Sequence, residues 1–248
     1  MMMPPWLMAL LVAPFVGSFL GVVIERLPHG RPLVVARSQC AACRRPLRPA
    51  ELVPFVSFLL QRGRCRSCGA RIGWFAPSVE GAALAIAASA ALGGEDGLLL
   101  WEGCALGWTL LALAWIDWRH FVLPDALTLP LLVAGLGAAV AEGRAMALDS
   151  ALGAALGYGG LWLVGTLYRR LRGREGLGGG DAKLLAAGGA WLGAAALPWV
   201  VLGAAVGGLA IAGLTRRGGL AATLAVPFGP PLAAAIWLVW LWPGLLPG

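Results

Sequence analysis

Leu177-Gly178-Gly179-Gly180-Asp181-Ala182-Lys183-Leu184-Leu185 introduces an apolar stretch that runs from Ala182 to Leu197. The glycines permit tight backbone approach and unusual dihedrals. The carboxylate that follows them stands at the edge of a segment apolar enough to enter a bilayer. A second carboxylate, Asp117, closes another apolar stretch, Leu98 to Ile116. Working outward from these two stretches, the whole chain has the same character. At 59% hydrophobic and 12% charged residues it is an integral membrane protein, not a soluble globule. A membrane-spanning helix takes about 20 mostly apolar residues. Candidates lie at about 6–24, 79–93, 98–116, 125–141, 148–168, 182–197, 199–214 and 220–242. The expected fold is therefore an all-α polytopic membrane protein with about eight transmembrane helices. Residues 182–197 and 199–214 are short and rich in Ala and Gly.

The net charge of +7 would suit nucleic acid if it were spread over one face, but its distribution excludes that partner. Of the 19 Lys and Arg, ten lie between Glu25 and Pro77, and the next cluster is Arg169, Arg170, Arg172, Arg174 and Lys183. Arg119, Arg216 and Arg217 fall on the same side of the expected topology, and Arg144 alone on the other. This is the positive-inside bias. It puts both termini outside and the first, third, fifth and seventh loops in the cytosol. It also favours two short crossings with a turn near Pro198 over one long span, because one span would carry Arg216 and Arg217 outside. Met1 to Pro5 has no basic n-region, so the first apolar run reads as an ordinary membrane anchor. The basic first loop suits anionic lipid headgroups.

Four of the five cysteines fall in that loop as two C-x-x-C pairs, Cys40/Cys43 and Cys65/Cys68, with 21 residues between the pairs. Two thiolates on each of two turns can close a tetrahedral zinc site, and four cysteine ligands leave no open coordination position. A structural zinc is expected, supplying folding energy to a loop that has little apolar content. The cytosol disfavours structural disulfides. An unmetallated or redox-active thiol cluster is the alternative. Cys104 lies among Gly103, Ala105 and Leu106 and reads as a small buried residue.

Asp117 is expected at the C-terminal end of a helix, where the helix dipole disfavours an anion, and Asp181 near an N-terminal end, where it is favoured. Two carboxylates in such different surroundings form the pattern of a general acid and base. On different spans they could make the pair of a membrane-embedded aspartyl protease. Each has a plainer reading. Asp117 could pair with Arg119 at the interface, and Asp181 could cap a glycine-rich turn. Asp125, after Pro124, suits a first-turn residue and competes with Asp117. Glu80 suits a helix start after Pro77-Ser78-Val79, and Lys183 suits snorkelling to the interface.

Taken in order, these segments resemble the bacterial prepilin peptidases, or type IV leader peptidases, over nearly the whole chain. The matching elements are Gly17-Ser18-Phe19-Leu20-Gly21 to Pro28, the paired C-x-x-C loop, Pro77-Ser78-Val79-Glu80, Ile116-Asp117 to Leu123-Pro124-Asp125, and Leu177 to Leu185. The resemblance implies that Asp117 and Asp181 are the catalytic pair, with Asp117 and not Asp125 at the first position. It implies cleavage of the leader of type IV prepilins or pseudopilins, then N-methylation of the new N-terminus from S-adenosylmethionine, at the bacterial inner (plasma) membrane. The implied organisation is a first transmembrane helix at 1–24, a cytosolic zinc-knuckle loop at 25–78 tied to the methyltransferase region, and a transmembrane aspartyl peptidase domain at 79–248. Gly21 stands where the first motif commonly carries Asn, which bears on methyl transfer and leaves the peptidase reading untouched. No nucleotide-binding glycine fingerprint follows a strand, so the methyl donor site is not readable. The rivals are a peptidase without methyl transfer, an ion-coupled transporter using the same carboxylates, and a non-enzymatic assembly factor docking through its zinc loop.

Overall fold

A computed structural model of the chain describes residues 3–35, 37–94, 97–173, 178–217 and 226–245, without the side chains of 215–217. Its longer elements are all helices: α1 (Pro5–Arg26), α2 (Val56–Leu60), α3 (Phe75–Leu92), α4 (Gly97–His120), α5 (Asp125–Glu142), α6 (Arg144–Arg172), α7 (Gly179–Leu192), α8 (Leu197–Arg217) and α9 (Gly229–Leu241). Among the described residues, extended pairing is limited to two isolated antiparallel bridges, Gln39 with Pro46 and Arg64 with Arg71.

Among the described residues, six helical segments are long and apolar enough to cross a membrane: Pro5–His29, Phe75–Leu92, Gly97–His120, Asp125–Glu142, Arg144–Arg172 and Leu197–Leu214. Eight were expected. The difference lies in α7, with 14 residues, and α9, with 13. At about 1.5 Å per residue each rises only about 20 Å, against a hydrocarbon core of about 30 Å. The first part of the expected span 220–242 lies outside the described residues. Helix α7 is buried along nearly its whole length, from Asp181 to Ala190 except Lys183. A helix enclosed by protein need not match the thickness of the lipid. The break expected near Pro198 is present slightly earlier, at 193–196. Gly193 takes φ 78° there, and the Asp149 carboxylate accepts the Ala194 N–H at 3.3 Å. Pro198 becomes the second residue of α8, where its missing N–H costs nothing.

The chain divides into two compact units, Met1–Ala112 and Leu113–Gly248, with the boundary inside α4. In the first, α1 packs on α3 along a stripe of small residues. Ala9, Ala13, Gly17, Leu20 and Ile24 are buried on α1, and Val79, Ala83, Ala87 and Ala90 on α3. The closest approach is at Gly17, where a Cβ would come 2.6 Å from Glu80 Cα. Small residues at such crossings let helices touch backbone to backbone, the main source of cohesion in lipid. Trp108 on α4 donates from Nε1 to Ala83 O at 3.0 Å.

In the second unit α7 is the hub, contacting α5, α6, α8 and α9. Gly153 and Gly157 bring α6 onto the α7 backbone at Gly189 and Leu185. Trp191 lies over Gly135 of α5 and donates from Nε1 to Leu131 O at 2.8 Å. Ile236 of α9 fills the space over Gly188. The Ala and Gly content that made this stretch look weak as a lipid-facing span is what lets its neighbours close around it.

Candidate functional site

Asp117 lies in the last turn of α4 and Asp181 in the first turn of α7. Both are buried, at 6% and 8% exposure. Asp181 Oδ2 accepts the N–H of Gly178 at 3.2 Å, folding back on the glycine run. Asp117 Oδ2 accepts the N–H of Gly229, the first residue of α9, at 2.8 Å. That contact sets the carboxylate against the positive end of α9. The first turn of α7 lies against Leu123, six residues beyond Asp117, with an ideal Cβ on Gly180 2.9 Å from Leu123 Cβ. Residues 64 positions apart in sequence are thus brought to one place.

The packing around them is tight. A Cβ on Gly180 would come 2.9 Å from Leu123 Cβ, and one on Gly229 would come 2.6 Å from Asp117 Oδ2. Both positions therefore require glycine for close approach and not for their φ. Gly229 was not singled out from sequence. Its signal was Phe228-Gly229-Pro230-Pro231, a helix start with proline in the first turn, hidden inside what read as one continuous span.

The plainer readings fare differently. The Asp117 carboxylate is turned to Gly229, across the unit, instead of to the interfacial Arg119. Asp125 opens α5, as a first-turn residue should, and is exposed. Its Oδ1 lies 2.6 Å from Lys183 Nζ, so Lys183 joins α7 to α5 instead of simply reaching for the interface. Glu80 lies in the second turn of α3, at 5% exposure. It accepts the N–H of Phe55 at 2.9 Å, tying the first loop to the helix instead of capping the helix start. Phe55 has φ 55°, which costs a non-glycine residue about 1 kcal/mol or more.

The four loop cysteines form one cluster, with all four Sγ atoms within 4.8 Å of one another. Cys40 Sγ lies 3.9 Å from Cys68 Sγ. Each pair sits in the same turn. Cys40 N–H donates to Arg45 O at 3.0 Å and Arg44 N–H to Cys40 O at 2.9 Å. Cys65 N–H donates to Ala70 O at 2.8 Å and Gly69 N–H to Cys65 O at 2.9 Å. The backbone N–H groups of Cys68 and Ser67 pull the Cys65 thiol down to about 6. Those of Cys43 and Ala42 lower Cys40. At Cys68 the N–H of Ala70 is outweighed by desolvation and the three neighbouring sulfurs, which push its thiol up to about 11. Sulfurs so crowded cannot all ionise without a cation among them, and a tetrahedral metal is what such a donor set fits. Glu51 braces the first turn: it meets Arg45 Nη2 at 2.6 Å and accepts the Arg48 N–H at 2.8 Å. All five cysteines are free thiols, and Cys104 is fully buried in α4.

Comparison with known proteins gives the family of the chain. Residues 11–93 match the bacterial peptidase A24 N-terminal domain, and residues 104–213 match the type IV leader peptidase family. The chain is 44% identical to a prepilin leader peptidase/N-methyltransferase of Burkholderia pseudomallei (strain 1026b) over 254 residues, covering 91% of this chain and 82% of the relative. It is 40% identical to the protein of that name from Aeromonas hydrophila, covering 96% and 92% of the two chains. The corresponding figures for Pseudomonas aeruginosa are 39%, 95% and 90%. No solved structure matches it. With identity at this level across almost the full length of its relatives, the chain belongs to the type IV leader peptidase family.

Proposed function

We propose that this protein is a membrane-embedded aspartyl endopeptidase that removes the leader of type IV prepilins or pseudopilins and N-methylates the new N-terminus. The observation that carries the peptidase reading is the buried pair Asp117 and Asp181, held on separate helices of one unit by the N–H groups of Gly229 and Gly178. Like charges so placed share one proton. The ionised member takes a proton from water, and the protonated member donates to the scissile carbonyl or the leaving amine. No covalent intermediate is needed. The exposed Asp125, engaged with Lys183, supports the choice of Asp117 as the first catalytic residue.

The Cys40, Cys43, Cys65 and Cys68 thiolates would hold a structural zinc that fixes the first loop. S-adenosylmethionine would supply the methyl group. A Cβ on Gly21 would have its nearest neighbour at 3.9 Å, Phe75 Cε1, so that position has room for a side chain it does not carry. The placement we favour is the bacterial inner membrane, with eight crossings, both termini outside and the zinc loop in the cytosol. The expected organisation is an anchor at 1–24, the loop at 25–78 and the peptidase domain at 79–248.

The test incubates purified protein with a prepilin, with and without S-adenosylmethionine, and reads both reactions by mass spectrometry. Wild type is expected to release the leader in both arms and to add a methyl group only when the donor is present. Asp117→Asn and Asp181→Asn should each abolish cleavage while the protein still inserts. Wild-type cleavage by either variant removes that residue from the mechanism. Cleavage without methylation establishes the peptidase-only alternative.

A further inference from the structure

A cavity of about 620 Å³ opens in the first unit, between the C-terminal half of α1 and the first C-x-x-C turn. Its lining has two parts, with Leu33, Val34, Leu47 and Leu52 of the loop beside the second. One is formed by Phe19 and Val22 of α1, inside the candidate span Pro5–His29, with Phe19 51% exposed. The other carries four guanidinium groups, Arg26, Arg37, Arg45 and Arg48.

Two of these are held in place by the protein itself. Arg26 donates to Pro32 O and Leu33 O at 3.2 Å each. Arg45 is braced by Glu51 through Nη2 at 2.6 Å. The Nε of Arg45 is buried and has no hydrogen-bond acceptor among the described residues. It belongs to a side chain that lines a cavity rich in positive charge. Glu51 neutralises Arg45, and Arg37 and Arg48 add positive charge to the lining.

We propose that this cavity binds an anionic phospholipid, with the phosphate on the arginines and the acyl chains along Phe19 and Val22. The argument is one of complementarity at both ends. A free phosphate would satisfy the arginines and leave the apolar end unused. A ligand carrying a sulfonium, such as a methyl donor, would bring a like charge to the guanidiniums. A phospholipid of the leaflet in which α1 sits offers an anion and a hydrocarbon chain at the spacing of a headgroup boundary, where clustered Arg residues beside a span gain from anionic lipid. Bound there, it would join the end of α1 to the first C-x-x-C turn. The proposal stands apart from the peptidase reading, and its test needs no turnover.

The full-length protein would be purified in a mild detergent and titrated by native mass spectrometry with phosphatidylglycerol or phosphatidylcholine of the same acyl composition. A third arm would use inorganic phosphate. Wild type is expected to retain phosphatidylglycerol in preference to phosphatidylcholine, without competition from millimolar phosphate. Arg37→Gln with Arg48→Gln should weaken phosphatidylglycerol retention about 30-fold. The matched pair Arg64→Gln with Arg71→Gln, on the second turn and outside the cavity, should leave it within about twofold of wild type. Metal content of both variants reports whether the loop is intact. Equal loss in the two pairs would reduce the effect to diffuse charge and overturn the site. No headgroup preference in wild type, or full competition by phosphate, would overturn the lipid.

Discussion

The cysteine loop and the aspartate pair solve opposite problems. The loop gathers four sulfurs from a segment where Cys43 and Cys68 are exposed and Val34 and Val35 are each 87% exposed. Little apolar surface is buried there, and a metal on the four sulfurs would supply the order that a core supplies elsewhere. The aspartates sit in a unit whose hub, α7, is buried on every face, and their positions are dictated by packing between helices. On the proposed reading, one site would be assembled by its ligand and the other by its surroundings. They should therefore break in different ways.

The largest effect is expected in the loop. Cys65→Ser removes the most buried of the four sulfurs. Structural zinc in small domains contributes about 10–16 kcal/mol of apparent folding energy. Metal analysis should show loss of the bound ion, and limited trypsin digestion should begin at Arg62, Arg64, Arg66 or Arg71. The melting of the α7-centred unit should change little. Retention of metal together with protease resistance would mean that the loop has a core of its own, and the contrast would fail.

At the aspartates the sensitive group is a backbone position. Gly229→Ala places a methyl group where Asp117 Oδ2 lies, at 2.6 Å. The carboxylate or the start of α9 must move, and a displacement of about 1 Å at a catalytic group can cost about 100-fold in rate. Leader cleavage should fall by that order with insertion and metal content unchanged. Gly180→Ala, which meets only the Leu123 side chain at 2.9 Å, should cost less. Equal activity of Gly229→Ala and wild type would show that the Asp117–Gly229 contact does not set the geometry of the pair.

The same contrast explains what the sequence disclosed. The cysteine cluster was legible because two pairs at close spacing need only two tight turns to meet, and those turns are local. Asp117 and Asp181 were legible as carboxylates at the ends of apolar runs. Where they lie in the unit depends on how α7 packs among its neighbours, which no local pattern records. Span counting worked where helices face lipid. It was less informative for α7, whose Ala and Gly serve contacts with α5, α6 and α9. Glu80 and Lys183 were both given local roles, whereas their partners, Phe55 and Asp125, are 25 and 58 residues away. Gly229 was missed because its importance lies in an atom of Asp117, 112 residues distant.

A smaller effect separates Asp125 from the buried pair. Its side chain is 55% exposed, and it meets Lys183 in the manner of a surface ion pair, worth about 0–1 kcal/mol. Asp125→Asn should leave leader cleavage within about fivefold of wild type and should matter less as salt is raised. Abolished cleavage would favour Asp125 over the proposed Asp117 as the first catalytic residue.

The finest test lies inside the loop, between its two turns. They share one hydrogen-bond pattern, but the residue after the second cysteine is Arg44 in one and Gly69 in the other, at φ 55° and 70°. A left-handed backbone costs a side-chain-bearing residue about 1–2 kcal/mol and costs glycine almost nothing. The first turn therefore carries strain that the second avoids, and metal binding has to offset it. Arg44→Gly should tighten metal affinity by about fivefold or more, and Gly69→Ala should weaken it by a similar factor. Competition with a chelator of known affinity would measure both. The signs must be opposite, because one change relieves the strained turn and the other imposes the same strain on its relaxed counterpart. A loop in which both variants bind metal equally well would have to adopt a different turn once the metal is bound.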